Sequence, residues 1–402
     1  MTCADSAAST PDRSRVIDRR DVNEIATQVA RAVDLAEGAW GVVDVLRAIA
    51  RHEPVAVREL SRHVELPVPI VAAIGNELRK RGIVDTQRPV RLTEVGRMVM
   101  GTETWLDSGD CPTCAGRGIT VPAELDELAD ELSGVAERMP GARMELDQAH
   151  CTVDTKLRRV MLLSKLGVLA KPMIFIGDDD LTSLAVAMVA KSVGLPIGPM
   201  TVVDVDEALL DYIAAQAREL GTDLTAVHHD ATRPLPEALR EGFAVALTDP
   251  PYTLAGAELF LSRAVSALEP RPGQHLLFSF GGRRPAETVA VQALIAGMGL
   301  AVRSLVPNFN EYLGAGILGG TSHLYHLRTV DGAAPSIDGD FDGPLYTADN
   351  RTESVRGFRC AACKTVQPVG PGQRFARIAE LKAAGCPECG ATTFRPLPLT
   401  PR

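Results

Sequence analysis

One stretch of the chain, residues 173–281, most constrains what the sequence can fold into, because short apolar runs alternate there with helical segments. The apolar runs are MIFIGDDD (173–180), MTVVDVDE (200–207), LTAVHHDATRPLP (224–236), FAVALTDPPYT (243–253) and GQHLLFSFG (273–281). Segments such as LTSLAVAMVAKSVG (181–194) lie between them. This alternation is typical of buried parallel strands joined by helices. It predicts an α/β protein with a Rossmann-like doubly wound sheet, in which ligands bind beyond the carboxyl ends of the strands.

Pattern and composition divide the rest of the chain into smaller units. In chain order we predict a disordered tail (1–20), a winged-helix-like domain (21–105), a connecting segment with one C-x-x-C pair (106–150), a Rossmann-like catalytic domain (151–330), a linker (331–355) and a small four-cysteine segment (356–402). The winged-helix interpretation rests on three helical patterns after Trp40 and on residues 85–100, which predict a small β wing leading into a fourth helix. The linker is inferred from its density of Gly, Asp and Pro.

The charge balance bears on the partners of the protein. The formal net charge is −9, which suits a cationic substrate and argues against a protein that coats nucleic acid. Basic residues do cluster on the predicted winged-helix-like domain: Arg58, Arg62, Arg79, Lys80 and Arg81. They could contact DNA phosphates, or they could form the solvated face of a module used for dimerisation or for covering the active site. We favour the second interpretation and expect a homodimer that does not bind nucleic acid.

The sequence lacks the features of an exported or membrane-spanning chain. Residues 1–20 contain no apolar core of the kind that a signal peptide needs. No later segment offers the roughly eighteen uninterrupted apolar residues of a membrane-spanning helix. We therefore predict a cytoplasmic protein without a membrane partner.

Six of the eight cysteines form three C-x-x-C pairs. In a reducing compartment this spacing indicates metal binding more often than disulfides. Two of the pairs lie near the carboxyl terminus: Cys360, Cys363, Cys386 and Cys389. Four thiolates in two such knuckles predict a zinc ribbon with a structural zinc ion. The third pair, Cys111 and Cys114, could gain ligands from His150, from Cys151 or from another chain, or it could form only a turn.

Acidic residues follow the first four predicted strands. In enzymes that use S-adenosylmethionine, these positions hold in turn the tail of the cofactor, its ribose hydroxyls, its adenine amino group and the reacting group. Asp204, with Asp206 close behind, is the candidate for the ribose hydroxyls, and Asp230 is the candidate for the adenine. Any one of these acids alone could be a helix cap or a surface residue. Four acids at four successive strand ends predict a cofactor site of methyltransferase type.

The loop after the first strand is unusual for such a site. A carboxylate on the cofactor is normally held by backbone N–H groups of a Gly-rich loop and a helix N-terminus. Here Gly177 is followed by Asp178, Asp179 and Asp180, which would repel an anion. Decarboxylated S-adenosylmethionine carries an ammonium and a sulfonium and no carboxylate. The loop therefore predicts this molecule as the donor, with Gly177, Asp178 and Asp180 in cofactor binding and Asp179 in catalysis.

The fourth strand ends in the tetrad Asp249, Pro250, Pro251 and Tyr252. The prolines fix the backbone and expose its carbonyls, Asp249 can accept an amine proton, and Tyr252 offers an aromatic face to a cation. Enzymes that methylate exocyclic amino groups of bases use the same tetrad. It therefore predicts amine alkylation without identifying the amine, with Asp249 in catalysis and Pro250 and Tyr252 in substrate binding.

Five stretches resemble the branched-chain polyamine synthase family: CPTCAGRG (111–118), DQAHCTVDTKLRRVMLL (147–163), GDDDLTS (177–183), DPPYT (249–253) and NFNEY (308–312). The resemblance implies transfer of two aminopropyl groups from decarboxylated S-adenosylmethionine to the internal nitrogen of spermidine. It also implies that the aspartates of GDDD and Asp249 are closest to the chemistry. Glu311 and Tyr312 become candidates for an acidic and aromatic wall of the polyamine site, with a strand–turn structural motif as the alternative.

Other functions remain open at this point. An S-adenosylmethionine-dependent amino-methyltransferase acting on nucleic acid or another amine fits the DPPY tetrad, but the GDDD loop disfavours the intact cofactor. A non-catalytic transcription factor that senses polyamines is disfavoured by the acids at every strand end. The chain is rich in Ala and Gly and lacks the Lys and Glu enrichment of hyperthermophile proteins, so the acceptor is not fixed as spermidine.

Overall fold

The computed structural model describes residues 19–101, 111, 113–314, 320–347, 356–370, 373–375 and 378–396. The tail predicted over residues 1–20 lies outside this description except for its last two residues, which open the first helix. No helix in the described ranges is both long enough and apolar enough to cross a membrane.

A seven-stranded sheet forms the centre of the protein. Its strands are β1 (Met173–Ile176), β2 (Met200–Asp204), β3 (Leu224–His228), β4 (Val245–Thr248), β5 (His275–Phe280), β6 (Leu300–Glu311) and β7 (Thr321–Thr329). Their order across the sheet is β3-β2-β1-β4-β5-β7-β6. The first five strands pair in parallel, and β7 pairs antiparallel with both β5 and β6. The predicted mixed α/β fold is confirmed, and β6 and β7 are additional strands that the sequence pattern did not identify.

Helices cover both faces of the sheet. They are α6 (Asp126–Glu137), α7 (Val153–Lys165), α8 (Thr182–Val193), α9 (Glu207–Leu220), α10 (Leu254–Ala267) and α11 (Pro285–Gly297), with short 3-10 turns at Ala123–Leu125, Met144–Leu146 and Glu237–Leu239. Successive side chains of a strand point to opposite faces. In β1, Met173 and Phe175 accordingly pack with α6–α9, whereas Ile174 and Ile176 pack with α10 and α11. All four residues are buried, which explains the unbroken apolar run.

The amino-terminal unit is helical and has its own apolar core. Its helices, numbered from the amino terminus, are α1 (Arg19–Val33), α2 (Gly38–His52), α3 (Val57–Val64), α4 (Val68–Lys80) and α5 (Glu94–Met100). In the segment predicted as a β wing, the structure has only the isolated antiparallel bridges Val55–Val90 and Val84–Leu92. The helices between residues 40 and 100 agree with the sequence pattern, and the winged-helix assignment itself stays a prediction.

The carboxyl-terminal unit is small. It consists of β8 (Arg356–Cys360), β9 (Val366–Val369), α12 (Ile378–Ala384) and β10 (Phe394–Pro396), with strand order β10-β8-β9 and antiparallel pairing. Its core contains Phe375, Leu381 and Phe394 together with Cys360 and Cys386. A core of this size needs a further source of stability.

Residues 331–347, predicted as the first part of a linker, instead pack against the catalytic domain. Arg263 of α10 is 1% exposed and donates to the carbonyl oxygens of Ile337 at 2.9 Å and Gly339 at 2.8 Å. Leu345 is 4% exposed. Composition misled here because Gly, Asp and Pro suit any irregular segment, whereas a buried guanidinium satisfies the backbone of this one.

We expect Arg263→Met to lower the free energy of unfolding by at least about 3 kcal/mol, because hydrogen bonds from a charged group contribute about 1.5–3 kcal/mol each. The variant leaves four carbonyl oxygens without this donor. Arg240→Met is the matched control, since Arg240 reaches the same segment through an exposed ion pair with Asp338, and it should cost less than about 1 kcal/mol. Urea denaturation followed by circular dichroism measures both. Equal losses would contradict a structural role for Arg263.

Candidate active site

A cavity of about 530 Å³ lies at the carboxyl edge of the sheet, beyond the ends of β1, β2 and β4. Five carboxylates line it: Asp147, Asp179, Asp204, Asp230 and Asp249. The described residues of its wall include no lysine or arginine, and their basic side chains are those of His150 and His229. Burial lowers the pKa of His150, which keeps it neutral. A wall of this composition attracts positively charged ligands.

Asp179 is the aspartate of the GDDD loop that lines this cavity. Gly177 also lines it and has a φ of 77°, in the left-handed region that favours glycine. The backbone N–H of Ala149 donates to Asp179 Oδ2 at 3.1 Å. Burial, and after it the charges of Asp180 and Asp249, raises the pKa of Asp179 well above its ordinary value. A cation bound beside Asp179 would relieve this cost.

The other two aspartates of the loop bind protein groups and do not line the cavity. Asp178 caps α8, because it accepts hydrogen bonds from the backbone N–H groups of Thr182 at 2.8 Å and Ser183 at 3.1 Å. Asp180 accepts a hydrogen bond from the guanidinium of Arg159 at 2.6 Å. The structure gives both carboxylates partners within the protein, and their predicted contact with the cofactor stays a prediction. The helix begins directly after the loop, so only the middle aspartate is left facing the cavity.

The two acids after β2 also differ. Asp204 lines the cavity, and its carboxylate accepts from the N–H groups of Asp206 at 2.9 Å and Asp178 at 3.3 Å. Burial raises the pKa of Asp204. Asp206 lies outside the lining and caps α9, with hydrogen bonds from Leu209 N–H at 3.3 Å and Gln148 Nε2 at 3.2 Å. Asp206 is thus a helix cap that also holds a neighbouring loop, and its predicted cofactor contact stays a prediction.

The remaining predicted positions on this edge lie in the cavity wall. Asp230 follows β3, is exposed, and accepts from the N–H of Thr232 at 2.9 Å. Pro250 and Pro251 are buried beside Tyr252, and all three line the cavity. The structure therefore brings the acid after β3 and the tetrad after β4 to one site.

Asp249 is bound by two tyrosines. The hydroxyl of Tyr312 donates to Asp249 Oδ2 at 2.6 Å, and that of Tyr252 donates to Oδ1 at 3.1 Å. The two hydroxyls are 2.9 Å apart. Burial raises the pKa of Asp249 to about 6, although the neighbouring Arg159 opposes the rise. Asp249 is thus a carboxylate that is ionised at neutral pH and still basic enough to accept a proton.

Arg159 is a site residue that the sequence analysis missed, as is Asp147 of the cavity wall. Arg159 lies on α7, is 5% exposed, and bridges Asp180 Oδ2 at 2.6 Å and Asp249 Oδ2 at 2.9 Å. The available signal was its place beside Arg158 at the start of the otherwise apolar run RRVMLL. An arginine buried in such a run needs acidic partners elsewhere in the chain.

Glu311 lies outside the lining of the cavity, and its predicted place in the polyamine wall stays a prediction. Its carboxylate pairs with Arg62 of the amino-terminal unit at 3.1 Å and with Arg117 at 2.8 Å. Arg117 Nε also donates to the carbonyl oxygen of Asn308 at 2.9 Å. Tyr312, the next residue along the chain, does line the cavity. NFNEY therefore joins the site to the units that precede it, with the tyrosine on the inner side and the glutamate on the outer side.

The C-x-x-C pair of the connecting segment forms the turn that presents Arg117. The N–H of Ala115 donates to the carbonyl oxygen of Cys111 at 2.8 Å, and that of Arg117 to Cys114 at 2.9 Å. Among the described residues, no metal-binding group of three or more side chains contains this pair.

The four carboxyl-terminal cysteines do converge. Their sulfur atoms lie within 4.8 Å of one another, with 3.6 Å between Cys360 and Cys389 and between Cys363 and Cys386. In a tetrahedral site with Zn–S bonds of about 2.3 Å, the sulfur atoms are about 3.8 Å apart. The cluster is therefore compatible with zinc.

The strand order and the carboxylates at one edge define the class: a mixed α/β domain with an acidic cavity at the carboxyl ends of its parallel strands. The sequence model of the branched-chain polyamine synthase A C-terminal domain matches residues 127–331, which is just over half of the chain. The chain belongs to the branched-chain polyamine synthase family, as the five motifs predicted.

Individual relatives support this assignment. An uncharacterised protein of Methanocaldococcus jannaschii is 32% identical over 379 residues, which is 92% of each chain. The N(4)-bis(aminopropyl)spermidine synthase of Thermococcus kodakarensis is 29% identical over 297 residues, 67% of this chain and 82% of the relative. The fold matches that of the Thermus thermophilus branched-chain polyamine synthase in complex with N4-aminopropylspermidine and 5'-methylthioadenosine, with a TM-score of 0.67, 24% identity, and coverage of 83% of this chain and 99% of that one.

We expect two adjacent substitutions in the GDDD loop to change stability in opposite directions at pH 7. Asp178→Ala removes the cap of α8 and should lower the free energy of unfolding by about 1–2 kcal/mol. Asp179→Asn should raise it, because the folded state holds the Asp179 pKa above its unfolded value and therefore disfavours the ionised form. Thermal denaturation of both variants measures the difference.

The gain from Asp179→Asn should shrink as the pH falls, because wild-type Asp179 then becomes protonated in both states. A loss of stability in Asp179→Asn equal to that in Asp178→Ala would show that Asp179 is structural.

Proposed function

We propose that this chain transfers aminopropyl groups from decarboxylated S-adenosylmethionine to an amine of a polyamine such as spermidine, giving branched polyamines. The main support for this proposal is the cavity at the carboxyl edge of the sheet. Five carboxylates line it, and its described lining residues include no lysine or arginine. A donor with two positive charges and a polyamine acceptor both suit such a wall. Relatives named N(4)-bis(aminopropyl)spermidine synthase support the same reaction.

The product side of the reaction supports the choice of donor. The Thermus thermophilus relative is described in complex with N4-aminopropylspermidine and 5'-methylthioadenosine. The second molecule is what remains of decarboxylated S-adenosylmethionine after its aminopropyl group has left the sulfur. In this chain we assign the ribose hydroxyls to Asp204, the adenine amino group to Asp230, and the positively charged part of the donor to Asp179.

The chemistry follows from the charges. The amine nitrogen attacks the propyl carbon attached to the sulfonium, a C–N bond forms, and the C–S bond breaks to give a neutral thioether. A secondary amine becomes tertiary and releases one proton, which Asp249 or Asp179 accepts. A second transfer turns the tertiary amine into a quaternary ammonium and releases no proton. Alignment of the amine and support of its growing positive charge are therefore the main tasks of the protein.

The DPPY tetrad and Tyr312 supply the surroundings of the attacking nitrogen in this proposal. Tyr252 offers its ring to a cation, and Pro250 presents backbone to the amine. We further propose that residues 21–105 form a winged-helix-like cover for the catalytic domain in a homodimer. Binding of nucleic acid is not part of the proposal.

We expect the purified protein to convert spermidine to species heavier by one and by two aminopropyl groups when it is given decarboxylated S-adenosylmethionine. Intact S-adenosylmethionine should give no product, because its carboxylate would lie against Asp179. Asp249→Asn should lower kcat about 100-fold or more with little change in the binding of 5'-methylthioadenosine. Mass spectrometry of the products and calorimetry measure these effects. Methylated product with the intact cofactor would instead support an amino-methyltransferase.

We propose a structural zinc ion bound by the four carboxyl-terminal cysteines, whose sulfur spacing fits a tetrahedral site. Cys360 and Cys386 are buried, while Cys363 and Cys389 are exposed. Zinc would tie β8 to the turn after α12 and stabilise a core too small to be stable alone. It has no part in the transfer reaction.

We expect one zinc ion per chain, lost in Cys386→Ser because three thiolates hold zinc much less tightly than four. Cys111→Ser is the control and should retain the metal. Metal analysis by mass spectrometry, with aminopropyl transfer assayed in parallel, measures both. A second zinc ion that disappears with Cys111→Ser would assign metal binding to the connecting segment as well.

A further inference from the structure

Arg159 uses every hydrogen-bond donor that its side chain has. A guanidinium offers five N–H groups in a fixed plane, and five acceptors surround this one. They are Asn310 Oδ1 at 3.0 Å, Asp180 Oδ2 at 2.6 Å, Thr182 Oγ1 at 3.1 Å, Asp249 Oδ2 at 2.9 Å and Ser279 Oγ at 3.2 Å. A side chain so fully bonded and only 5% exposed has one orientation.

The five acceptors come from different parts of the sheet edge. They belong to the loop after β1, the first turn of α8, the end of β4, β5 and β6. The residues beside Arg159 on the same helix have other partners: Lys156 Nζ donates to the carbonyl oxygen of Cys151 at 2.9 Å, and Arg158 donates to that of Phe309 at 2.7 Å. Among these three buried cations of α7, Arg159 is the one whose hydrogen bonds reach an aspartate of the cavity wall, Asp249.

The hydrogen bonds to Asp249 leave its two carboxylate oxygens unequally occupied. Oδ2 accepts from both Arg159 and Tyr312, so its lone pairs are occupied, whereas from the described residues Oδ1 accepts only the longer bond from Tyr252. A carboxylate oxygen can accept about two hydrogen bonds. Oδ1 therefore keeps capacity for an amine N–H in the cavity.

Arg159 also separates the aspartates of the GDDD loop. It takes Asp180 as a counter-ion inside the protein, which lowers the pKa of Asp180 despite the opposing effect of burial. Asp179 is not among its acceptors and keeps its carboxylate for the cavity. One buried cation thus leaves one loop aspartate to meet a positively charged ligand.

We propose that Arg159 is a positioning residue for aminopropyl transfer, which orients Asp249 with Oδ1 toward the attacking amine and holds Asp180 away from the cavity. The inference rests on the proposed function. Arg159 itself touches neither substrate. Its positive charge favours the ionised form of Asp249. The charges of Asp179 and Asp180 oppose this effect, and the hydroxyls of Tyr252 and Tyr312 bind the same carboxylate.

The test uses the full-length protein and three variants. Arg159→Met removes the charge and should lower kcat about 100-fold. The acidic limb of the pH profile of kcat should move up by about one pH unit or more, because Asp249 loses an opposite charge beside it. Arg159→Lys keeps the charge but not the planar set of donors, so kcat should fall with the limb nearly unmoved. Arg158→Met is the control. It should lower the stability of the protein and leave the acidic limb of the pH profile of kcat where it is in the wild type.

An unmoved acidic limb in Arg159→Met, or wild-type kcat in Arg159→Lys, would overturn the role of Arg159. The lysine variant decides the question if the methionine variant does not fold. If the wild-type protein shows no aminopropyl transfer, the proposed function itself is contradicted. In that event the carboxyl carbon of Asp249, followed by NMR in wild type and Arg159→Lys, still decides, because an unchanged chemical shift in the variant would refute the positioning.

Discussion

The buried ion pairs of Arg159 with Asp180 and Asp249 are the interactions on which the site depends. Three charged groups removed from water are costly unless each is paired and hydrogen-bonded. Here all five donors of the guanidinium are satisfied, and its acceptors come from the ends of β1, β4, β5 and β6. The same contacts that make the burial tolerable therefore fix the carboxyl edge of the sheet, where the cavity lies.

Around this pair the aspartates are divided by function. Asp178 and Asp206 cap helices, Asp180 balances an arginine, and Asp179, Asp204 and Asp249 line the cavity. The cavity gains its negative character because the cations of the region bind elsewhere. Arg62 and Arg117, for instance, pair with Glu311 on the outer side of NFNEY. The carboxylate-lined cavity thus lies close to several arginines without being neutralised by them.

Much of the fold was predictable because the signals were local. The buried run of β1 shows its parallel strand directly, and the acids that follow β1 to β4 mark the edge where ligands bind. The long strands β6 and β7 escaped prediction because neither alternates regularly. The pairing of β6 has register shifts after Val302 and Val306, and nearly every residue of β7 is buried, the polar ones included. Residues 331–347 escaped it because their composition fits a linker, and only contacts with Arg263 reveal that they are packed.

The sequence by itself determined the family and the order along the chain of the strands and the acids that follow them. The spacing of the four carboxyl-terminal cysteines also indicated that they act as one group. Tertiary structure alone decided which carboxylates face the cavity, since Asp178 and Asp179 are neighbours in a single motif. It also decided the partners of Arg159, which lie up to 151 residues away along the chain. The physical reason is that strand and helix patterns reflect interactions between near neighbours, whereas the direction of a loop side chain depends on which distant group is buried beside it.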